Sequence, residues 1–246
     1  MASLSEVLAG WPTAPVAGLI IHVIPERCGL CSKPIPLVFA GITGKCRDCK
    51  ESPPCWRDGV DAVWSMTVYL PKTDTFPATQ LVRKAKDDMI LARALGTAAA
   101  EAYRAANPWS DWTPSVVIPC PSHRSRRNPR SSLFAQGVAD VVGLPYQDVL
   151  RRTDTNGPRS ATAGKHMPAN VEEMLREVTV ACTAEFTGGE NVLLVDDVMT
   201  LGTTAGSSGV ELKNRGAASV RLLTFARTTN ADALIWNAKR DEEEGL

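Results

Sequence analysis

The chain has 246 residues, 44% hydrophobic and 22% charged, with 27 acidic side chains against 27 basic ones. That is enough apolar material for one large α/β domain and a small appendage, and the charge balance excludes a nucleic-acid or membrane partner argued from overall charge. No apolar run is long enough to span a bilayer, and the stretch 19–24 contains His22 with no basic region before it, so no membrane partner, no signal peptide and a cytoplasmic location are expected.

Residues 1–25 predict a short helix and an irregular lead. Residues 26–58 are rich in Cys, Pro and Gly with little periodicity, so a metal would have to hold them together. Residues 60–70, VDAVWSMTVYL, are β-branched and aromatic and predict a strand or hairpin arm. Residues 87–106 predict a helix with Asp87 near its start and Asn107-Pro108 as its stop. An alternation follows: a short buried strand over 115–118 ended by Pro119, a helix over 132–142 closed by Gly143, and a strand over 146–150. Residues 153–170 are a long polar loop, of the kind that is usually functional or mobile. A short strand is expected over 178–182, a buried strand over 192–195, a helix over 203–215 and a strand over 219–225. Strand, helix, strand in this rhythm implies a parallel sheet. The acidic tail around 241–244 is expected to be solvated.

Of seven cysteines, Cys28, Cys31, Cys46 and Cys49 form two Cys-x-x-Cys pairs fourteen residues apart. In a chain expected to be cytoplasmic, that spacing favours a closed tetrahedral zinc site, a folding staple and not a catalyst. The alternative is four buried thiols. Cys55 is a spare candidate ligand.

The densest chemistry lies in 192–204, VLLVDDVMTLGTT. Four apolar residues make a central strand. Asp196 and Asp197 follow at its carboxyl end, where open α/β sheets bind ligands. Val198, Met199, Thr200, Leu201, Gly202, Thr203 and Thr204 then lead into a helix. A small-residue turn at a helix N-terminus presents backbone N–H groups to an anion, Gly202 permits close approach, and the threonines add hydroxyls. The two carboxylates suit the vicinal hydroxyls of a ribose. Together they read as a site for a phosphorylated ribose; the bland alternative is a capped helix with two solvated aspartates.

This stretch resembles the ribose-5-phosphate motif of type I phosphoribosyltransferases, whose fold is a parallel sheet flanked by helices. The resemblance implies 5-phosphoribosyl-1-pyrophosphate as ligand, with Mg2+, and transfer of its ribosyl group to a nitrogen acceptor. It implies Asp196 and Asp197 as the catalytic pair holding the ribose hydroxyls, and Thr200 to Thr204 as the 5-phosphate loop. Leu201 stands where the family commonly has Thr, so one hydroxyl is absent.

With the cysteine module ahead of it, the chain resembles the ComF family, linked to bacterial competence and DNA uptake, from about Cys28 to Thr228. Tyr69, Pro119-Cys120-Pro121, Phe134-Ala135-Gln136, Asn170-Val171 and the run from Leu212 to Ala217 also fit. The family's Arg-Gly-Phe-Asn-Gln stretch is here Ser132-Leu133-Phe134-Ala135-Gln136, and 159–171 keeps only Asn170-Val171 clearly.

The resemblance implies three parts: an N-terminal segment and zinc-binding module over 1–58, a phosphoribosyltransferase-like α/β domain over 59–230, and a tail over 231–246. Cys120, Pro121, Ser122, Arg124, Arg126 and Arg127 follow a buried strand at the same sheet edge as Asp196, and Lys165 lies in the long loop. These are the candidate pyrophosphate residues, because guanidinium offers bidentate contacts to phosphate oxygens. A solvated basic loop, or one touching a nucleic-acid backbone, is the alternative. The expected partner is phosphoribosyl pyrophosphate or a nucleoside monophosphate. The rival reading is a non-catalytic ribose-phosphate-binding protein that contacts single-stranded DNA or a DNA-processing protein.

Overall fold

The computed structural model describes residues 4–25, 27–28, 32–34, 56–122, 130–153 and 178–229. Its frame is a four-stranded parallel sheet in the order β3–β8–β7–β4, formed by β3 (Ala62–Tyr69), β8 (Ser219–Thr228), β7 (Asn191–Met199) and β4 (Val116–Pro119). These strands are nearly continuous apolar runs because helices and packed chain cover both sheet faces. Alternate side chains of β7 enter different cores. Leu193 and Val195 pack with the cluster under the long helices, while Val192 and Leu194 pack with the cluster on the opposite face.

The first core lies beneath α2 (Pro77–Lys84), α3 (Met89–Ala106) and α4 (Arg130–Val142). Asp88, not Asp87, caps α3, its carboxylate accepting from the Leu91 N–H at 3.0 Å, and Asn107 closes the helix in a left-handed conformation. Gly96 sits mid-helix because α4 passes too close for a side chain: a Cβ there would lie 2.0 Å from the Phe134 carbonyl oxygen. The opposite face is covered by α5 (Thr203–Asn214) and by an antiparallel ribbon of β5 (Leu150–Arg152) and β6 (Val180–Cys182).

Several expectations need correction. After the short helix α1 (Leu4–Ala9), residues 13–22 are not irregular but a hairpin of β1 (Thr13–Val16) and β2 (Leu19–His22). Ala17 and Gly18 both have positive φ there, the turn that matches strand twist. Residues 62–69 pair in parallel with β8, so they are a sheet strand and not a hairpin arm. Helix α2, begun by Pro77 in its first turn, was not expected. The strand expected over 146–150 falls instead at 150–152, Tyr146 making only one isolated bridge to Val117. No helix among the described residues is long and apolar enough to cross a membrane.

Candidate functional site at the carboxyl ends of β7 and β4

β7 runs to Met199, four residues beyond the expected end, because β8 continues to pair with it: Asp196 opposite Thr224, Met199 opposite Arg227. Asp196 and Asp197 are therefore strand residues and not loop residues. The chain then turns through Thr200, Leu201 and Gly202 into α5. Gly202 is the N-cap at φ +82°, a left-handed conformation, and no side chain caps the helix start. The turn is backed by Trp56, only 1% exposed: a Cβ on Gly202 would lie 2.4 Å from Trp56 Cδ1 and 2.5 Å from Met199 Cε.

Two cavities open here. One, of about 280 Å³, is lined by Asp196, Val198 and every residue from Met199 to Ala205. The other, of about 350 Å³, lies at the end of β4. It is lined by residues 119–122, by Ser131 and Ser132 of α4, and by Asp148, Leu150, Arg151 and Arg152.

The two carboxyl groups are in different states. Asp197 is buried and ion-paired with Arg130, the first residue of α4, at 2.6 Å. Asp196 accepts the Asp197 N–H at 2.9 Å. Desolvation of its carboxyl, then the adjacent Asp197, push Asp196 well above the usual carboxylate range, although Arg130 opposes this. Cys120 is buried at the end of β4, its N–H donating to the Val195 carbonyl at 2.8 Å. Burial, and then Asp196 and Asp197, push its thiol up, so it is a neutral wall and not a nucleophile.

The contiguous stretch from Asp196 to Thr204 thus shares one cavity, except that Asp197 faces Arg130. Cys120, Pro121 and Ser122 share the other. Arg124, Arg126, Arg127 and Lys165 lie outside the described residues, as do Cys31, Cys46 and Cys49. Cys28 is fully buried in the core that holds Trp56 and Met199. Among the described residues, no group of three or more His, Cys, Asp or Glu side chains is placed to hold a metal.

Four lining or supporting groups had no sequence signal of their own. Arg151 and Arg152 reach the β4 cavity from β5. Trp56 and Arg227 reach the turn from distant segments. Arg130 was visible only as part of a basic cluster with Arg124, Arg126 and Arg127.

Residues 86–240, well over half of the chain, match the phosphoribosyl transferase domain family, and the chain belongs to that family. Solved structures with a similar outline include a purine phosphoribosyltransferase from Pyrococcus horikoshii, at 19% identity over 61% of this chain and 75% of that one, with a TM-score of 0.33. An adenine phosphoribosyltransferase from Leishmania tarentolae matches at 16% identity over 65% and 93%, with a TM-score of 0.37. An allosteric regulatory enzyme of purine biosynthesis matches at 20% identity and a TM-score of 0.36, over 55% of this chain but only 26% of its own length. No curated protein sequence matches. The family assignment rests on the match over 86–240 alone.

Proposed function

We propose that the protein is a phosphoribosyltransferase of ComF type, which binds 5-phosphoribosyl-1-pyrophosphate with Mg2+ and transfers the phosphoribosyl group to a nitrogen acceptor. The observation that carries this is the cavity in which Asp196 and the turn from Thr200 to Thr204 face one space. In this reading Asp196 and Asp197 accept hydrogen bonds from the ribose hydroxyls. The turn and the start of α5 hold the 5-phosphate with N–H groups and the positive end of the helix dipole. The β4 cavity takes the pyrophosphate, with Cys120, Pro121 and Ser122 as its wall, Arg151 and Arg152 supplying charge, and Arg124, Arg126, Arg127 and Lys165 as further candidates.

In the reaction, the bond from the anomeric carbon to the pyrophosphate oxygen breaks, and its electron pair leaves with pyrophosphate. The acceptor nitrogen's lone pair forms the new bond and its proton is released. Positive charge grows on the ribose ring while negative charge grows on the leaving group. Carboxylates on the β7 side and guanidinium groups on the β4 side match that separation, and fixed charges cost little reorganisation as it develops. Bound Mg2+ would bridge and neutralise the pyrophosphate oxygens; it needs one or two carboxylates and otherwise takes phosphate and water oxygens, a donor set to which Asp196 and Asp197 conform. No covalent nucleophile is required, and Cys120 supplies none.

The N-terminal cysteines are proposed as a structural zinc site. Supporting this, the chain reverses after Cys28, whose N–H donates to the Lys33 carbonyl and whose carbonyl accepts from Ser32 N–H, both at 2.9 Å.

Calorimetric titration of zinc-loaded protein with phosphoribosyl pyrophosphate and Mg2+ tests the binding. Release of pyrophosphate across a panel of nucleobases tests the transfer. Heat without turnover would favour the second reading, a non-catalytic ribose-phosphate-binding protein with a DNA or protein partner. What favours that reading here is Leu201, 45% exposed on the cavity where a hydroxyl would bind phosphate.

A further inference from the structure

We infer that Arg227 is the positioning residue of the ribose-phosphate turn: it fixes the two peptide planes that aim the N–H groups of Thr200 and Leu201 into the cavity. The inference rests on the ribose-phosphate reading above.

Arg227 lies on β8, opposite Met199 in the ladder, and is 5% exposed. Its Nη1 donates to the Met199 carbonyl at 2.7 Å and also to the Thr200 carbonyl. The described residues contain no cis peptide bond. In a planar trans unit the N–H points opposite to the C=O. Drawing the Met199 and Thr200 carbonyls toward Arg227 therefore turns the N–H groups of Thr200 and Leu201 away from it. Both residues line the cavity. The negative ends of two peptide dipoles meet the guanidinium, and the positive ends face the space proposed for phosphate.

The cation suits this work. Guanidinium keeps its charge when buried, and a buried charge is tolerated only when hydrogen-bonded. The next residue, Thr228, ties the Thr200 hydroxyl at 3.0 Å, so consecutive residues of β8 hold both the backbone and the side chain of the turn. On the other side, Trp56 and Met199 abut Gly202. The turn is thus held from outside its own sequence, and an anion need not organise it on arrival.

The test uses the full-length protein, labelled with 15N and with the Thr200 and Leu201 amides assigned, titrated with ribose 5-phosphate. Expected: both amides move downfield at saturation. Arg227→Gln weakens ribose 5-phosphate binding at least tenfold while the circular dichroism spectrum is unchanged, and Arg227→Lys recovers most of the loss. If other resonances move and these two do not, or if a folded Arg227→Gln binds as the parent does, the inference fails and the site survives. If no resonance moves in the parent protein, the ribose-phosphate reading fails and the inference falls with it. Should Arg227→Gln not fold, the amide shifts of the parent and the affinity of Arg227→Lys still decide.

Discussion

The carboxyl ends of β7 and β4 are neighbours in one sheet, yet they are built in different ways. The β7 end is a contiguous stretch: the residues lining its cavity, apart from Leu222, run from Asp196 to Ala205. The β4 end is assembled from residues 119–122, the first turn of α4 and residues 148–152. One end offers carboxyl groups, hydroxyls and backbone N–H; the other offers serines and guanidinium groups. Arg130 joins them, starting α4 beside the β4 cavity and pairing with Asp197 on β7. The contrast teaches that a site for a sugar can be encoded locally, while a site for its leaving group can depend on the packing of a ribbon and a helix.

The largest expected effect comes from breaking the join. Arg130→Met leaves the Asp197 carboxylate buried without its counter-charge, and removing one member of a buried pair costs about 3 kcal/mol or more. Urea unfolding at pH 7 measures this. A change below about 1 kcal/mol would mean that the pair behaves like a surface salt bridge.

Separating the two ends is the next test. Asp196→Asn removes an acceptor for the ribose hydroxyls, and charged hydrogen bonds are worth about 1.5–3 kcal/mol, so affinity for ribose 5-phosphate should fall about 10- to 100-fold. Arg151→Ala with Arg152→Ala should instead weaken phosphoribosyl pyrophosphate by about tenfold and leave ribose 5-phosphate unchanged, on the same scale per contact. Calorimetry on both ligands gives the four values. Equal losses on both ligands for the arginine pair would show that the two cavities do not divide the work.

Asp196 also carries a pH signature. Its carboxyl titrates above the ordinary range in the folded chain, so between the ordinary and the raised value the folded state holds more protons than the unfolded state. Stability of the ligand-free protein should therefore fall as pH rises through that window. Asp196→Asn should remove this slope and raise the melting temperature above it, at the expense of binding. Ligand binding by the parent should release a proton, visible as a dependence of the calorimetric heat on the buffer. A melting temperature that rises with pH through this window in the parent, with the slope absent in Asp196→Asn, would reverse the assignment.

The smallest effect probes the departure within the turn itself. Leu201→Thr restores a hydroxyl at a partly exposed position, where a hydrogen bond nets about 0.5–1.5 kcal/mol, so ribose 5-phosphate should bind about two- to tenfold more tightly. No gain would place residue 201 outside contact with the phosphate.

Much of this molecule was legible without coordinates. Apolar runs of length four to eight named β3, β4, β7 and β8, and the capping and stop residues named α3 and α5. The acidic pair followed by a small-residue turn named one cavity. These features are local: strand periodicity, capping and turn chemistry depend on residues close in sequence. The errors were also local rules overruled by neighbours. β7 continues through two aspartates because β8 supplies a ladder there. The ribbon strand moved from 146–150 to 150–152 because its partner is the short β6 and not the main sheet. Which cation faces which carboxylate, Arg130 on Asp197, and which cation holds the turn, Arg227 on Met199 and Thr200, was decided by tertiary structure alone. Charge pairing acts through space, and no spacing along the chain encodes an approach between residues 67 or 28 positions apart.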